Sequence, residues 1–94
     1  MITALVLLNI EKSKVNTVAE KLARLDGIRE VYSVAGRYDL VALIYVKDHE
    51  GVADLVTDKM LKIDGIIKSE TLISFRVYSR EDREGIFSIG MNTE

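Results

Sequence analysis

ARLDGI, residues 23–28, and LKIDGI, residues 61–66, are two copies of one short motif, and together they decide the fold. Each copy lies where a helical hydrophobic pattern gives way to an apolar run rich in β-branched residues. In each copy an aspartate precedes a glycine, Gly27 or Gly65, and glycine can adopt the positive φ that ends a helix. The repeat therefore predicts two βαβ halves that pass from helix to strand at the same signal.

The segments on either side of the repeat complete a βαββαβ order. Apolar runs predict four strands, at Ile2–Leu8, Ile28–Ala35, Leu40–Val46 and Ile66–Tyr78, the last strongest from Thr71 to Val77. Two amphipathic helices lie between them, and Ser13 and Asp48 are the expected N-caps. Residues Gly36–Tyr38 predict a tight turn, so the second and third strands form an antiparallel hairpin.

This order is that of an α+β, ferredoxin-like sandwich with one sheet and both helices on one face. The apolar positions of the second helix repeat at three and four, and they are Val52, Ala53, Leu55, Val56, Met60, Leu61 and Ile63. After a charged connector, the short apolar piece IFSIG, residues 86–90, predicts an extra strand at the C-terminal edge.

Length and composition indicate one small globular domain, residues 1–94, with a core at 1–79 and a C-terminal tail at 80–94. The absence of cysteine excludes disulfides and thiolate zinc sites, and a net charge of −2 gives no attractive field for nucleic acid. The apolar start at residues 2–10 lacks a basic n-region and is too short to span a bilayer. A cytoplasmic protein without membrane association is expected.

The predicted strands are apolar on both faces. In the third strand one face carries Leu40, Ala42, Ile44 and Val46, and the other carries Val41, Leu43 and Tyr45. The helices can cover only one face, and four strands spaced about 4.8 Å apart project roughly 300 Å² on the other. A monomer rarely leaves a larger apolar patch exposed, and IFSIG is too short to fold back over it. Dimerisation through stacked sheet faces, as a dimeric α/β barrel, is therefore predicted.

Gly36, Arg37, Tyr38 and Asp39 lie at the mouth of the predicted hairpin. They have a structural interpretation, since glycine supplies turn geometry and aspartate favours turns. They also have a functional one, because exposed backbone N–H groups could bind a carboxylate while Asp39 accepts a hydrogen bond from an ammonium. Those two groups together would recognise a free α-amino acid.

Two longer segments resemble a known family. They are LARLDGIREVYSVAGRYDLVALIYVKD, residues 22–48, and MLKIDGIIKSETLISF, residues 60–75. In order and spacing they are similar to the C-terminal effector-binding domain, or RAM domain, of the Lrp/AsnC transcription regulators. The first matches that family's helix, G-V strand, TG-x-x-D turn and following strand, with Ala35 in place of the usual threonine. The second matches its L-x-x-L-P-G-V-x-x-T-x-T segment, so the resemblance covers nearly the whole sequence.

The resemblance implies a non-enzymatic, amino-acid-sensing oligomerisation module that needs no cofactor. It implies a free amino acid held between dimers that assemble into a ring. The implied contacts are Gly36, Arg37, Tyr38 and Asp39, with Ser69 and Thr71 as second candidates. Family members normally begin with a helix-turn-helix, whereas this sequence starts at the first strand, so a stand-alone RAM domain without direct DNA binding is expected. Full-length Lrp/AsnC-type regulators are its expected partners.

An enzyme of the same topology is the alternative, such as a small dimeric α/β-barrel monooxygenase or isomerase. Such an enzyme would need polar groups inside the sheet face, where the sequence predicts almost only apolar ones. His49 is the single histidine and lies beside Asp48 and Glu50 in the first turn of the second helix. A metal site would need carboxylates alone or another subunit, so neither a metal site nor a catalytic residue is predicted.

Overall fold

The computed structural model describes residues 1–80. One antiparallel sheet in the order β2-β3-β1-β4 contains the four strands β1 (Ile2–Ile10), β2 (Ile28–Ser33), β3 (Leu40–Val46) and β4 (Ile66–Ile73). Helix α1 (Val15–Ala23) follows β1, and helix α2 (His49–Ala53) follows β3. This is the predicted ferredoxin-like topology, while the extra strand expected at residues 86–90 lies outside the described residues. No helix within residues 1–80 is both long and apolar enough to cross a membrane.

The hydrophobic core lies between the helices and one face of the sheet. Successive strand residues point to opposite faces, so alternate residues of each strand reach this core. We call this side the covered face, and its fully buried side chains in the two central strands are Ala4, Val6, Leu8, Leu40, Ala42 and Ile44. Val18, Leu22 and Met60 pack on them from the helical layer and are also inaccessible to solvent.

The two glycines of the repeat have the predicted conformation, with φ of 96° at Gly27 and 110° at Gly65. Their carbonyl oxygens also make equivalent hydrogen bonds, because Gly27 O accepts from Tyr45 N at 2.9 Å and Gly65 O accepts from Glu11 N at 2.8 Å. A Cβ atom at Gly27 would come within 2.9 Å of Val46 Cγ1. The motif therefore ends each helix and also ties the following turn to the end of a central strand.

The two predicted N-caps have different outcomes. The carboxylate of Asp48 accepts a hydrogen bond from Gly51 N at 2.8 Å at the start of α2, as predicted. Ser13 is not a cap, and that prediction is wrong, because Ser13 lies in a 3₁₀ turn and α1 begins at Val15. Backbone hydrogen bonds close this turn before α1 begins, and Lys14 occupies the N-cap position without a side-chain hydrogen bond.

The second helical segment is not the regular α-helix that its apolar spacing predicted. After α2 the chain continues as a π-helix, Asp54–Lys59, and ends in a 3₁₀ turn, Met60–Lys62. A π-helix has more residues per turn than an α-helix, so the direction of later side chains changes. As a result Met60 is fully buried, whereas Leu61, which the pattern placed among the apolar helix positions, is 45% exposed.

The β2–β3 hairpin is antiparallel as predicted, but its connection is longer than a tight turn. β2 ends at Ser33 instead of Ala35, and residues 34–39 form the loop, with Gly36 at a φ of 139°. We call residues 34–39 the hairpin loop. All six residues lie outside the β2–β3 ladder, which closes at the pair Ser33 and Leu40.

β4 ends at Ile73, so the prediction that this strand is strongest from Thr71 to Val77 is wrong. Ile73 pairs with Ala4, and β1 begins only two residues before Ala4, at Ile2. Beyond Ala4 only Thr3 and Ile2 of β1 remain, so this pairing could not continue as far as Val77, whatever the hydrophobicity of the following residues.

Each edge strand contains a bulge at the same distance after its repeat glycine. In β2 the pairing with β3 passes from Ile28 to Glu30, which leaves Arg29 as the extra residue. In β4 the pairing with β1 passes from Ile66 to Lys68, which leaves Ile67 as the extra residue. The two βαβ halves therefore share the position of these bulges, although their helices differ.

Candidate functional site

The sheet face opposite the helices, which we call the open face, is apolar in its centre. The β1–β3 register places Leu5 beside Leu43 and Leu7 beside Val41, all of them half-buried. Leu72 of β4 pairs with Leu5 on the same face and is 44% exposed. Within residues 1–80 no helix packs on this side, so a row of large apolar side chains meets solvent.

The hairpin loop meets β4 at one end of the open face and forms a groove there. Its volume is about 480 Å³, and its lining residues are Asn9, Arg37, Tyr38, Lys68 and Glu70. We call it the loop groove. Pockets of several hundred Å³ are of the size that binds small molecules.

Two hydrogen bonds fix the walls of the loop groove. The Tyr38 hydroxyl donates to Glu70 Oε1 at 2.6 Å, and Asn9 Nδ2 donates to the carbonyl oxygen of Arg37 at 2.7 Å. The bond to Glu70 is the main reason that the pKa of the Tyr38 phenol is raised above its ordinary value, with desolvation a smaller contribution. Tyr38 therefore remains a protonated donor, and the hairpin loop is held across the ends of β1 and β4.

Asp39 fastens the base of the hairpin loop to β1. Its Oδ2 accepts a hydrogen bond from Ile10 N at 2.8 Å, and its backbone N–H donates to Leu8 O at 2.8 Å. Ile10 lies at the β1–β4 bulge, where the regular ladder is interrupted. A half-buried N–H without a partner would be costly, so this oxygen of the carboxylate has a structural role.

Gly36 and Arg37 lie at the exposed tip of the hairpin loop. A Cβ atom at Gly36 would have no neighbour within 4 Å, so the positive φ and not lack of space is what favours glycine there. The structural interpretation of these residues as a loop and the functional one as a binding element are therefore compatible.

Ser69 and Thr71 lie on the other side of β4. They pair with Leu8 and Val6, whose side chains are on the covered face, so Ser69 and Thr71 point away from the open face. Within one chain, the structure brings Arg37 and Tyr38 together in the loop groove but does not bring Ser69 or Thr71 to it.

Sequence reasoning missed three groove residues, Asn9, Lys68 and Glu70. One signal was available, because Lys68 and Glu70 share a strand face and Asn9 is the polar end of the alternating series Thr3, Leu5, Leu7. Their closeness to the hairpin loop could not be read from that alternation, since it follows from the pairing of β1 with β4.

The opposite end of the open face has a smaller cleft of about 170 Å³, where the Arg29 guanidinium carbon lies 4.3 Å from the centre of the Tyr45 ring. This is a cation–π contact, so the guanidinium of Arg29 already has a partner.

Among residues 1–80 no three His, Cys, Asp or Glu side chains lie together as metal ligands would, and His49 is exposed at the start of α2.

Residues 3–84 match the model of the Lrp/AsnC ligand binding domain. This chain belongs to the Lrp/AsnC family. The HTH-type transcriptional regulator LrpA of Pyrococcus abyssi is 42% identical over 55 residues, which make up 58% of this chain and 39% of LrpA. The chain spans less than half the length of the curated relatives that it matches. The resemblance drawn from residues 22–48 and 60–75 is therefore confirmed.

Solved structures share this fold. TTHA0845 from Thermus thermophilus superposes with a TM-score of 0.81 and is 46% identical, with 85% of this chain and 100% of that chain covered. The transcriptional regulator NMB0573 of Neisseria meningitidis, in complex with L-Met, superposes with a TM-score of 0.73 at 14% identity over 80% of this chain and 50% of that chain. The siroheme decarboxylase NirDL gives a TM-score of 0.71 at 20% identity, over 81% of this chain and 26% of that chain. The last two share the fold alone.

Proposed function

We propose that this chain is an effector-binding module of the Lrp/AsnC type that takes up a free amino acid at the hairpin loop. The observation that carries this proposal is the loop groove, in which Arg37 and Lys68 face the same space as the carboxylate of Glu70. A zwitterion presents one anionic and one cationic group a short distance apart, and such a groove offers both complements. The complex of NMB0573 with L-Met supports an amino acid as the kind of ligand that this fold holds.

In this proposal the residues of the loop tip, Gly36 and Arg37, bind the α-carboxylate, and Tyr38 lies along the ligand. Asp39 supports the loop through Ile10 N and remains a candidate for the ammonium through its other oxygen. Ser69 and Thr71 would contribute from the opposite side of β4, as contacts with a neighbouring dimer. The ligand then lies between dimers of a ring.

The same proposal includes dimerisation through the open face. Leucine and valine side chains of β1 and β3 lie side by side there without cover from the described part of the chain. Stacking two copies would bury both rows, and burial of apolar surface contributes about 25 cal/mol per Å². The product would be the dimeric α/β barrel that the hydrophobicity of both strand faces predicted.

An enzymatic role has less support, although NirDL shows that an enzyme can use this fold. The centre of the open face consists of leucine and valine, and the polar residues described above lie in an exposed groove at one end. A catalytic centre would need titratable groups in a water-excluded cavity. We therefore propose a non-enzymatic sensor.

A thermal-shift screen of residues 1–94 against each of the twenty amino acids tests the proposed function. A ligand at about one hundred times its dissociation constant adds about 2.7 kcal/mol to native-state stability, so a binding amino acid should raise Tm clearly. A hit should lose most of its effect in the Arg37→Ala variant and keep it in Lys59→Ala, which removes an exposed cation from the helical layer. If none of the twenty raises Tm, the proposed function is wrong.

We also propose that residues 1–94 act in the cytoplasm together with full-length Lrp/AsnC-type regulators, by co-assembly or by competition for the effector. Their net charge of −2 does not suit the neutralisation of phosphates that duplex binding requires, so we expect no gel shift by residues 1–94, even at low salt. A ring in which residues 1–94 take the place of some full-length subunits would carry fewer DNA-reading domains and bind operators less tightly. Co-purification with a tagged full-length regulator, with and without the amino acid, tests the partnership, and failure to recover the regulator would contradict co-assembly.

A further inference from the structure

We infer that the loop groove selects an amino acid with an acidic side chain, and that Glu70 accepts a hydrogen bond from its ammonium while Lys68 pairs with its side-chain carboxylate. This inference rests on the proposed function and assigns it a ligand class. The groove lies on the open-face side of β4, away from Ser69 and Thr71.

Glu70 is better placed for an ammonium than Asp39. The Asp39 carboxylate is half-buried and already holds Ile10 N at 2.8 Å, so an ammonium there would compete with the anchor of the hairpin loop. Glu70 is exposed, lines the groove and accepts the Tyr38 hydroxyl through Oε1 at 2.6 Å. A carboxylate offers about four lone-pair positions, so Glu70 can accept a hydrogen bond from an ammonium and keep its hydrogen bond from the Tyr38 hydroxyl.

The formal charges of the groove point to the ligand class. Arg37 and Lys68 contribute two positive charges and Glu70 one negative charge, which leaves one positive charge in excess. A neutral zwitterion would leave that excess unchanged. An amino acid with an acidic side chain carries two carboxylates and one ammonium, so its binding neutralises all three groups.

The positions of the three groups allow one ligand to reach them separately. Lys68 and Glu70 are two residues apart on β4, which separates them by about 6.6 Å along the strand. Arg37 approaches from the hairpin loop, where Asn9 holds its carbonyl oxygen at 2.7 Å. The planar guanidinium of Arg37 suits bidentate binding of the α-carboxylate, and Lys68 supplies a point charge for the second one.

The groove is open to solvent, so charge selectivity should be modest and sensitive to salt. Exposed ion pairs contribute up to about 1 kcal/mol each, which corresponds to about a fivefold difference in affinity. We expect L-glutamate or L-aspartate to bind about two to five times more tightly than L-glutamine or L-asparagine at low salt, with the ratio falling towards one in 0.5 M NaCl.

Calorimetric titration of residues 1–94 with each acid and its matched amide tests the inference. We define the acid-over-amide ratio as the affinity for the acid divided by the affinity for its amide. In Lys68→Gln this ratio should fall to about one, with the affinity for the amide unchanged. In Glu70→Gln the acid and the amide should both bind at least about threefold more weakly. Lys62→Gln removes an exposed lysine from the helical layer and is the matched control, for which the ratio should stay as in the wild type.

The outcomes separate the inference from the proposed function. Amides that bind the wild type as tightly as the acids would overturn the acidic class while leaving an amino acid sensor. An acid-over-amide ratio that persists in Lys68→Gln, or unchanged affinities in Glu70→Gln, would overturn the residue assignments. Binding of no amino acid at all would overturn both proposals.

Discussion

The two faces of this sheet are built from the same strands and both carry aliphatic rows in β1 and β3, yet they differ in what covers them. On the covered face Leu8, Leu40 and Ile44 are completely buried beneath the helices. On the open face Leu43 is only half-buried, and Leu72 is 44% exposed. Apolar residues on both faces of a strand indicate that both faces need to be shielded from water. The helices of one chain can shield only one of them.

The largest expected effect comes from a charge on the open face. In Leu43→Glu we expect the protein to remain folded but to lose association, because an unpaired charge buried between stacked sheets costs about 3–5 kcal/mol. Light scattering at micromolar concentration should then give the mass of one 10.6 kDa chain. The wild type should give a dimer or a larger multiple.

Leu61→Glu is the matched control for this variant, since Leu61 is 45% exposed and lies in the helical layer. Association should survive there. A wild-type protein that scatters as a monomer would refute sheet stacking, and so would a Leu43→Glu variant that associates as the wild type does.

A truncation on the covered face should act on folding instead of association. Leu40→Ala should lower the free energy of unfolding by about 2–5 kcal/mol, because a fully buried leucine leaves a cavity between the sheet and the helices. Leu72→Ala, on the open face, should cost clearly less when both are measured by urea unfolding at a dilution where the chain is monomeric. Equal decreases in the free energy of unfolding would contradict the difference in burial between the two faces.

The smallest expected effect concerns an exposed ion pair at the edge of the helical layer, in which Lys14 Nζ lies 2.5 Å from Asp64 Oδ2. The hydrogen bond to Lys14 lowers the pKa of Asp64 below its ordinary 3.8, so the pair stabilises the fold above that pH and the contribution is lost as pH falls through the lowered pKa. The pKa of Lys14 is raised above 10.5, mainly by Asp64, so the contribution is also lost at strongly alkaline pH. Both groups are exposed, and the effect on Tm should be small.

Asp64→Asn provides the measurement. The variant should have a slightly lower Tm than the wild type at pH 7, and the two melting curves should converge as pH falls below 3.8. A difference that persists at pH 2 would mean that Asp64 acts through its shape or its backbone and not through its charge.

The features that the sequence predicted well depend on neighbours in the chain. Gly27, Gly65 and Asp48 act within one turn, and the alternation of β3 is a local pattern, so each could be read directly. Ser13 was misassigned although it is local, because backbone hydrogen bonds closed the turn without its hydroxyl. The π-helix at Asp54–Lys59 could not be predicted, because the apolar spacing of this segment is that of an ordinary α-helix.

The loop groove was only partly predictable, for a different reason. Arg37, Tyr38 and Asp39 were found because the hairpin places them at one turn. Their partners are far away in the chain, since Tyr38 bonds to Glu70 across 32 residues and Asn9 bonds to Arg37 across 28. Such contacts depend on strand order and register, including the bulge at Ile10, which hydrophobic periodicity does not specify.

The paired bulges at Arg29 and Ile67 also bear on how copies of the chain can aggregate. Both lie in β2 and β4, the outermost strands of the sheet within residues 1–80, whose outer backbone edges could otherwise recruit further strands without limit. An extra residue twists each edge and interrupts its hydrogen-bonding pattern, and the charged Glu30 and Lys68 beside the bulges add repulsion between like edges. Fibre growth along the sheet is thereby disfavoured, which suits the closed face-to-face dimer proposed above.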